Sequence, residues 1–288
     1  MDPPDIPGPE PETKRPKLRA PAGAADCHFH IFGPQERYPY AEGRAYTPPD
    51  ALEEGYLKMA RALGLSRGVV VQASPQGRDN RRVADAIRAL GPGFRGVGVV
   101  DSRTPEAELE ELTRGGVRGA RVNLVAGGGA GLAEVEAIAA RIRPFGWHLQ
   151  FYVDGRTWED LAPRLARLPV PSVLDHMGHL PAGLGAGHPA FRALLEFLGT
   201  GKGWVKLSGA ERISAEAFPH RDAWPIARAL VERAPGRCVW GTDWPHTRVR
   251  LPIPNDGDLL DLLLEYAPEE EARRKILVGN PAELYGLG

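Results

Sequence analysis

The feature that most constrains this chain is a rhythm. Eight short apolar segments recur along it: Ala25 to Phe29, Gly68 to Gln72, Gly96 to Val100, Val117 to Asn123, Trp147 to Tyr152, Ser172 to Asp175, Gly203 to Leu207 and Arg237 to Trp240. Runs this short, rich in Val, Leu and aromatic residues, suit strands buried on both faces. Between them the sequence predicts helices over 51–63, 80–90, 132–143, 158–168, 190–199 and 223–233. A further helix opens at Thr104-Pro105, with Glu106 and Glu108 in its first turn. Thr104 is a good N-cap, and a proline in the first helical turn sacrifices no hydrogen bond. Strands alternating with helices require right-handed crossovers and a parallel sheet. Eight such units in 288 residues fit a closed α/β barrel, the (β/α)8 or TIM barrel. The competing architecture is an open doubly wound sheet, but no Gly-x-Gly-x-x-Gly follows an early strand. Gly127-Gly-Gly129 lacks a P-loop lysine and reads as loop.

No break in composition interrupts residues 23–288, which are expected to form a single domain. Residues 1–22 hold seven of the 28 prolines and almost no large apolar side chains. Such a stretch cannot offset its ordering entropy, so a disordered or loosely draped tail is expected. A net charge of -1 gives no support for binding nucleic acid or anionic membranes. No apolar run reaches the roughly 18 residues that would span a bilayer. Prolines and acids follow Met1 where a secretory signal would carry a basic region and an apolar core. Two cysteines, Cys27 and Cys238, make no disulfide framework. The expectation is a cytoplasmic protein with neither nucleic acid nor membrane as partner, and a homo-oligomer is compatible with all of this.

Chemistry in such a barrel gathers at the C-terminal ends of the strands. The first strand carries Asp26-Cys-His-Phe-His30, and side chains of a strand alternate between its faces. His28 and His30 are therefore expected on one face and Cys27 and Phe29 on the other. The remaining ends supply Ser74, Asp101, Arg121 with Asn123, Tyr152 with Asp154, Asp175-His176, Lys206-Leu-Ser208 with Glu211-Arg212, and Gly241 to His246. Polar residues at nearly every end, on the face that converges, exceed what solvation of a barrel rim requires.

Asp-x-His-x-His at the first strand, Asp175-His-Met-Gly178 at the sixth and Gly241-Thr-Asp-Trp-Pro-His246 at the eighth resemble the amidohydrolase superfamily, of the amidohydrolase 2 type. The likeness is greatest to its branch containing 2-pyrone-4,6-dicarboxylate lactonase. Tyr38-Pro-Tyr40, Tyr46-Thr-Pro48, Val69 to Ala73 and Asn280-Pro281 add to it, and it covers about residues 20 to 285. The resemblance implies a TIM barrel hydrolase that opens a lactone, in aromatic or sugar-acid breakdown, without a metal.

Read for themselves, the residues leave two chemistries open. Arg121 and Asn123 stand on the fourth strand where a two-metal member offers Lys or Glu, and Tyr152 ends the fifth where a zinc member offers His. His28, His30, His176 and Asp243 remain, and three imidazoles with one carboxylate can complete a single zinc site. The metal-free alternative has Asp243 as general base on a water, with His28, His30 and His176 polarising the carbonyl oxygen and stabilising the oxyanion. Asp243 as a structural acid beside Trp244 or His246, and His176 as a core histidine on Asp175, are the plainer readings. His148 begins its strand and reads as structural, and His246 as a loop former. Arg121 and Arg212 suit a substrate carboxylate. Tyr46, Ser74 and Tyr152 match neutral substrate contacts of the lactonase. The lactonase carries a second basic residue where this chain has Gly127. A lost charge-assisted hydrogen bond costs about 1.5–3 kcal/mol, so a lactone with a single carboxylate is expected. A zinc-dependent hydrolase or decarboxylase and a lactone isomerase are the alternatives.

Overall fold

A computed structural model describes residues 3–125, 131–249 and 252–288. Eight strands lie side by side in chain order, all parallel. They are β1 (Ala25–Phe29), β2 (Arg67–Val71), β3 (Phe94–Gly98), β4 (Val117–Asn123), β5 (His148–Tyr152), β6 (Ser172–Leu174), β7 (Gly203–Leu207) and β8 (Cys238–Trp240). The intervening helices are α1 (Glu53–Leu63), α2 (Arg81–Leu90), α3 (Glu106–Arg114), α4 (Val135–Ile142), α5 (Trp158–Leu165), α6 (Pro189–Gly199), the short α7 (Ala210–Ile213) and α8 (Trp224–Arg233). The architecture is the TIM barrel, and predicted and observed ends differ by three residues at most.

Closure comes just past β8. The Asp243 amide donates to the His28 carbonyl and the His30 amide to the Trp244 carbonyl, both at 2.8 Å. Buried Asp26 sutures the same seam. Its carboxylate accepts from the backbone amides of His28 and Thr242 at 3.0 Å and from Thr242 Oγ1 at 2.6 Å. Two strand ends far apart in sequence are thereby pinned side by side.

The barrel interior is a layer of Ala25, Cys27, Val69, Val71, Val97, Val173 and Val239, packed on Tyr285 and Leu287 from the C-terminal segment. A larger core fills the space between the strands and the surrounding helices, where Phe29 stacks on Tyr56 and Val83 and Ile87 pack over Gly96. Cys27 and Phe29 thus lie in different layers, against the simple alternation expected of β1. A register shift between Asp26 and Phe29 is the cause. A β-bulge there turns both Cys27 and His28 inward, and the alternation resumes one residue out of step.

The N-terminal segment, expected to be disordered or draped, lies along the barrel. Asp5 bridges Thr47, Lys58 Nζ reaches the Pro11 carbonyl at 3.1 Å, and the amide of buried Leu18 donates to Asp261 at 2.8 Å. Cys27 and Cys238 are buried and unpaired. Among the described residues no helix is long and apolar enough to cross a membrane.

Candidate active site

A cavity of about 220 Å³ opens at the C-terminal mouth, lined by His30, Tyr46, Ser74, Arg121, Tyr152, His176, Arg212 and Asp243. Eight of the nine residues selected from sequence thus share one wall. His28, the ninth, lies just beneath, wholly buried. Gly127 lies outside the described residues.

Asp243 is the meeting point. Its Oδ1 lies 3.5 Å from His28 Nε2, 3.5 Å from His30 Nε2 and 3.9 Å from His176 Nε2, and makes no hydrogen bond. Its Oδ2 is gripped by Arg212 through Nε, at 2.7 Å, and Nη2. Burial alone would raise Asp243, but the Arg212 guanidinium holds its carboxyl well below the usual carboxylate range. Burial pushes the imidazoles the other way: His176 lies well below its ordinary value, His30 below it, and His28 at about 3 through burial and the charge of Lys206. At neutral pH the set is one carboxylate facing three neutral rings.

Two of these groups sit on strained backbone. His176 and Asp243 adopt φ of +51° and +65°, the left-handed region that costs a residue with a Cβ roughly 1–2 kcal/mol. Gly209, at φ +66°, leaves room for the His176 ring, since a Cβ there would come within 2.8 Å of Nδ1.

The partners refine the plainer readings. His176 is not bonded to Asp175; its Nδ1 lies 3.0 Å from Ser208 Oγ. The side chain of His246 pairs with Asp256 at 3.0 Å, away from Asp243. His148 stacks edge-on against Tyr285 at the far end of the barrel. His30 Nδ1 lies 2.8 Å from the Val71 carbonyl. A carbonyl only accepts, so the proton of neutral His30 sits on Nδ1 and a lone pair faces the cavity. His30 therefore departs from the expected donor role: in this state it accepts.

Arg121 donates to the Gln72 carbonyl at 2.7 Å and lies 3.5 Å from Asp175. Arg212, expected to be free for substrate, is shared with Asp243 and with the Thr247 carbonyl at 2.9 Å. Tyr46 lines the cavity together with Ser74 and Thr247, and Tyr152 Oη lies 3.3 Å from His179 Nε2.

Some cavity residues have no counterpart among the predicted site residues. His179, Glu211, Thr247 and Arg248 line the cavity from loops and from α7. Lys206 lies fully buried below it, 2.7 Å from Gln150 Oε1 and 3.2 Å from His28 Nδ1. Strand parity was the available signal for Lys206, because Trp204 two residues earlier belongs to the interior layer.

Residues 25–287 match the amidohydrolase family. A 4-sulfomuconolactone hydrolase of Hydrogenophaga intermedia is 38% identical over 285 residues, covering 97% of this chain and 94% of that protein. A 2-pyrone-4,6-dicarboxylate hydrolase of Comamonas testosteroni is 38% identical over 94% of this chain and 92% of its own length. A D-galactarolactone isomerase of Agrobacterium fabrum is 34% identical, over 93% and 92%. Among solved structures, an Agrobacterium tumefaciens protein superposes with a TM-score of 0.88 at 32% identity, covering 95% of this chain and 99% of that one. Strand order, the convergent histidines and these relatives agree: the chain belongs to the amidohydrolase family.

Proposed function

We propose that this enzyme is a metal-independent hydrolase that opens a small carboxylated lactone. The observation that carries the reading is the unpartnered Asp243 Oδ1, ionised and facing three neutral imidazoles in a cavity that also presents Arg121. Lactone-acting relatives at 34–38% identity support the substrate class.

Asp243 Oδ1 and the His30 Nε2 lone pair are two acceptors 3.5 Å apart. A water donating to both is held with its oxygen free to attack. As it adds to the lactone carbonyl, its proton passes to Asp243, a transfer worth about 10²–10⁴ in rate when a base is so placed. Nε2–H groups of His28 and His176 donate to the tetrahedral oxyanion, with Ser208 donating to His176 Nδ1. Collapse breaks the bond to the ring oxygen, which takes the proton back from Asp243 and leaves as a hydroxyl or enol. Arg121 holds the substrate carboxylate, and Tyr46, Ser74 and Tyr152 contact its neutral part. The sequence has Gly127 where the lactonase is basic, which favours a monocarboxylated lactone over the dicarboxylated pyrone.

The amidohydrolase fold raises the alternative of a metal. Ligand atoms of His28, His30 and Asp243 all lie within 4.8 Å of one another, so distance permits one ion, zinc included. Charge opposes it. Lys206 lies behind His28, Arg212 already occupies one oxygen of Asp243, and Arg121 stands beside Asp175. Lys206, Arg212 and Arg121 are already paired with the three carboxylates of Asp175, Asp243 and Glu211, so the charge of a divalent cation would stand uncompensated; the set does not fit, and no step is routed through a metal. Two buried free cysteines support a reducing, cytoplasmic setting.

The test is turnover by chelator-treated protein on a panel of mono- and dicarboxylated lactones in ¹⁸O-labelled water. Expected are ring opening without added metal, a preference for one carboxylate, and one ¹⁸O in the new carboxylate. Activity that returns only with zinc would overturn the metal-free reading. An unlabelled rearranged lactone would make the enzyme an isomerase, as the Agrobacterium fabrum relative is named.

A further inference from the structure

A neutral imidazole has one proton, and the nitrogen that carries it decides whether the other can donate or only accept. His28 and His30 answer this question differently. At His30 the nitrogen facing the protein lies against a carbonyl, which fixes the proton there. At His28 the corresponding Nδ1 lies 3.2 Å from Lys206 Nζ, and an ammonium has no lone pair with which to accept.

We propose that Lys206 is a positioning residue which holds His28 with its proton on Nε2, so that His28 presents a donor to the cavity where His30 presents a lone pair. The inference rests on the proposed use of His28 as an oxyanion donor.

One group competes for the His28 Nδ1. Asp175 Oδ1 is also 3.2 Å away and would accept from a protonated Nδ1. That oxygen makes no hydrogen bond and instead faces the Lys206 ammonium at 3.5 Å, while its partner Oδ2 accepts from Gln150 Nε2 at 3.2 Å and faces Arg121 at 3.5 Å. Gln150 locks the arrangement from the other side. Its Oε1 accepts from Lys206 at 2.7 Å while its Nε2 serves Asp175, so turning the amide over would break both contacts. Lys206, Gln150 and Asp175 are all buried, and no solvent reaches the ammonium to reorient it. The consequence follows at the other edge of the ring: His28 Nε2 carries a hydrogen toward Asp243 Oδ1 and the reacting oxygen. The same proton removes the lone pair that a metal ion would need.

The experiment is long-range ¹⁵N–¹H correlation spectroscopy on the full chain labelled with ¹⁵N-histidine, at neutral pH, with the His28 signals assigned from His28→Gln. Expected is a bare Nδ1 and a protonated Nε2 in the wild type. In Lys206→Met nothing donates to Nδ1, and the proton moves there toward Asp175. That variant should lose about 10- to 100-fold in kcat with little change in KM, and gain about tenfold or more in zinc affinity by calorimetry. Lys206→Gln, whose amide still donates, should restore the wild-type tautomer. A wild-type His28 protonated on Nδ1, or an unchanged tautomer in Lys206→Met, overturns the proposal. If the methionine variant does not fold, the wild-type spectrum decides alone. Neither the spectrum nor the zinc titration uses a lactone, so failure of the proposed function would show separately, as no turnover by a protein with the stated tautomer.

Discussion

Replacing Arg212 by Met tests how the proposed base, Asp243, is kept ionised. The guanidinium grips Asp243 Oδ2, with Nε at 2.7 Å. Coulomb's law at that distance and an effective dielectric of ~20 gives about 6 kcal/mol, an upper bound because water enters the space the side chain vacates. Carboxylates beside an arginine are depressed by roughly 1–3 pH units, each worth about 1.4 kcal/mol. The direction is set by the structure: burial raises Asp243 and Arg212 offsets it, so without the arginine the carboxyl protonates at higher pH. The acid limb of kcat/KM, followed by the absorbance change of ring opening, should therefore move up by about 1–3 pH units in Arg212→Met. KM should rise as well, since the same side chain lines the cavity, but a change in affinity scales the profile without moving its limb. Linkage gives a second sign. A depressed folded-state carboxyl contributes stability above its unfolded value and loses it as pH falls through the folded one. The variant should lack this contribution and be less stable than the wild type near neutrality. An acid limb that stays in place would refute the reasoning and assign the base to another group.

Two further substitutions probe the frame. Gly209→Ala puts a Cβ within 2.8–2.9 Å of the His176 ring at a φ of +66°, so kcat should fall while circular dichroism stays that of the folded barrel. Asp26 is pushed from 3.8 to about 7, chiefly by burial, so the folded state binds its proton more tightly than the unfolded chain. Its contribution is then fully present below about pH 4 and declines as pH rises toward 7, and Asp26→Asn should flatten that decline in melting temperatures measured across this range. A decline of equal slope in the variant would exclude Asp26 as its source.

The barrel was legible because each strand is short, apolar and bounded by a helix, a pattern that needs no tertiary information. Strand ends were legible for the same reason: once topology is known, His28, Ser74, Arg121, Tyr152, His176 and Asp243 must share a mouth. What stayed hidden depends on distances between elements. The bulge that turns Cys27 and His28 inward together arises from pairing with β2, which alternation along one strand cannot register. Arg212 follows β7 by five residues, and only the turn of α7 points it at Asp243 in place of open cavity. His179, Thr247 and Arg248 come from loops without periodicity. Lys206 stood among the strand-end residues, yet its role depends on Gln150 and Asp175 from two other strands.

The account turns on Asp243 as the group that activates water. The direct measurement is turnover and ligand binding by Asp243→Asn, which keeps the shape of the side chain and removes its basicity. Single-turnover ring opening should fall by about 10²–10⁴, while a non-hydrolysable carboxylated analogue binds as it does to the wild type. Asp243→Asn protein that opens the lactone at the wild-type rate would contradict the account.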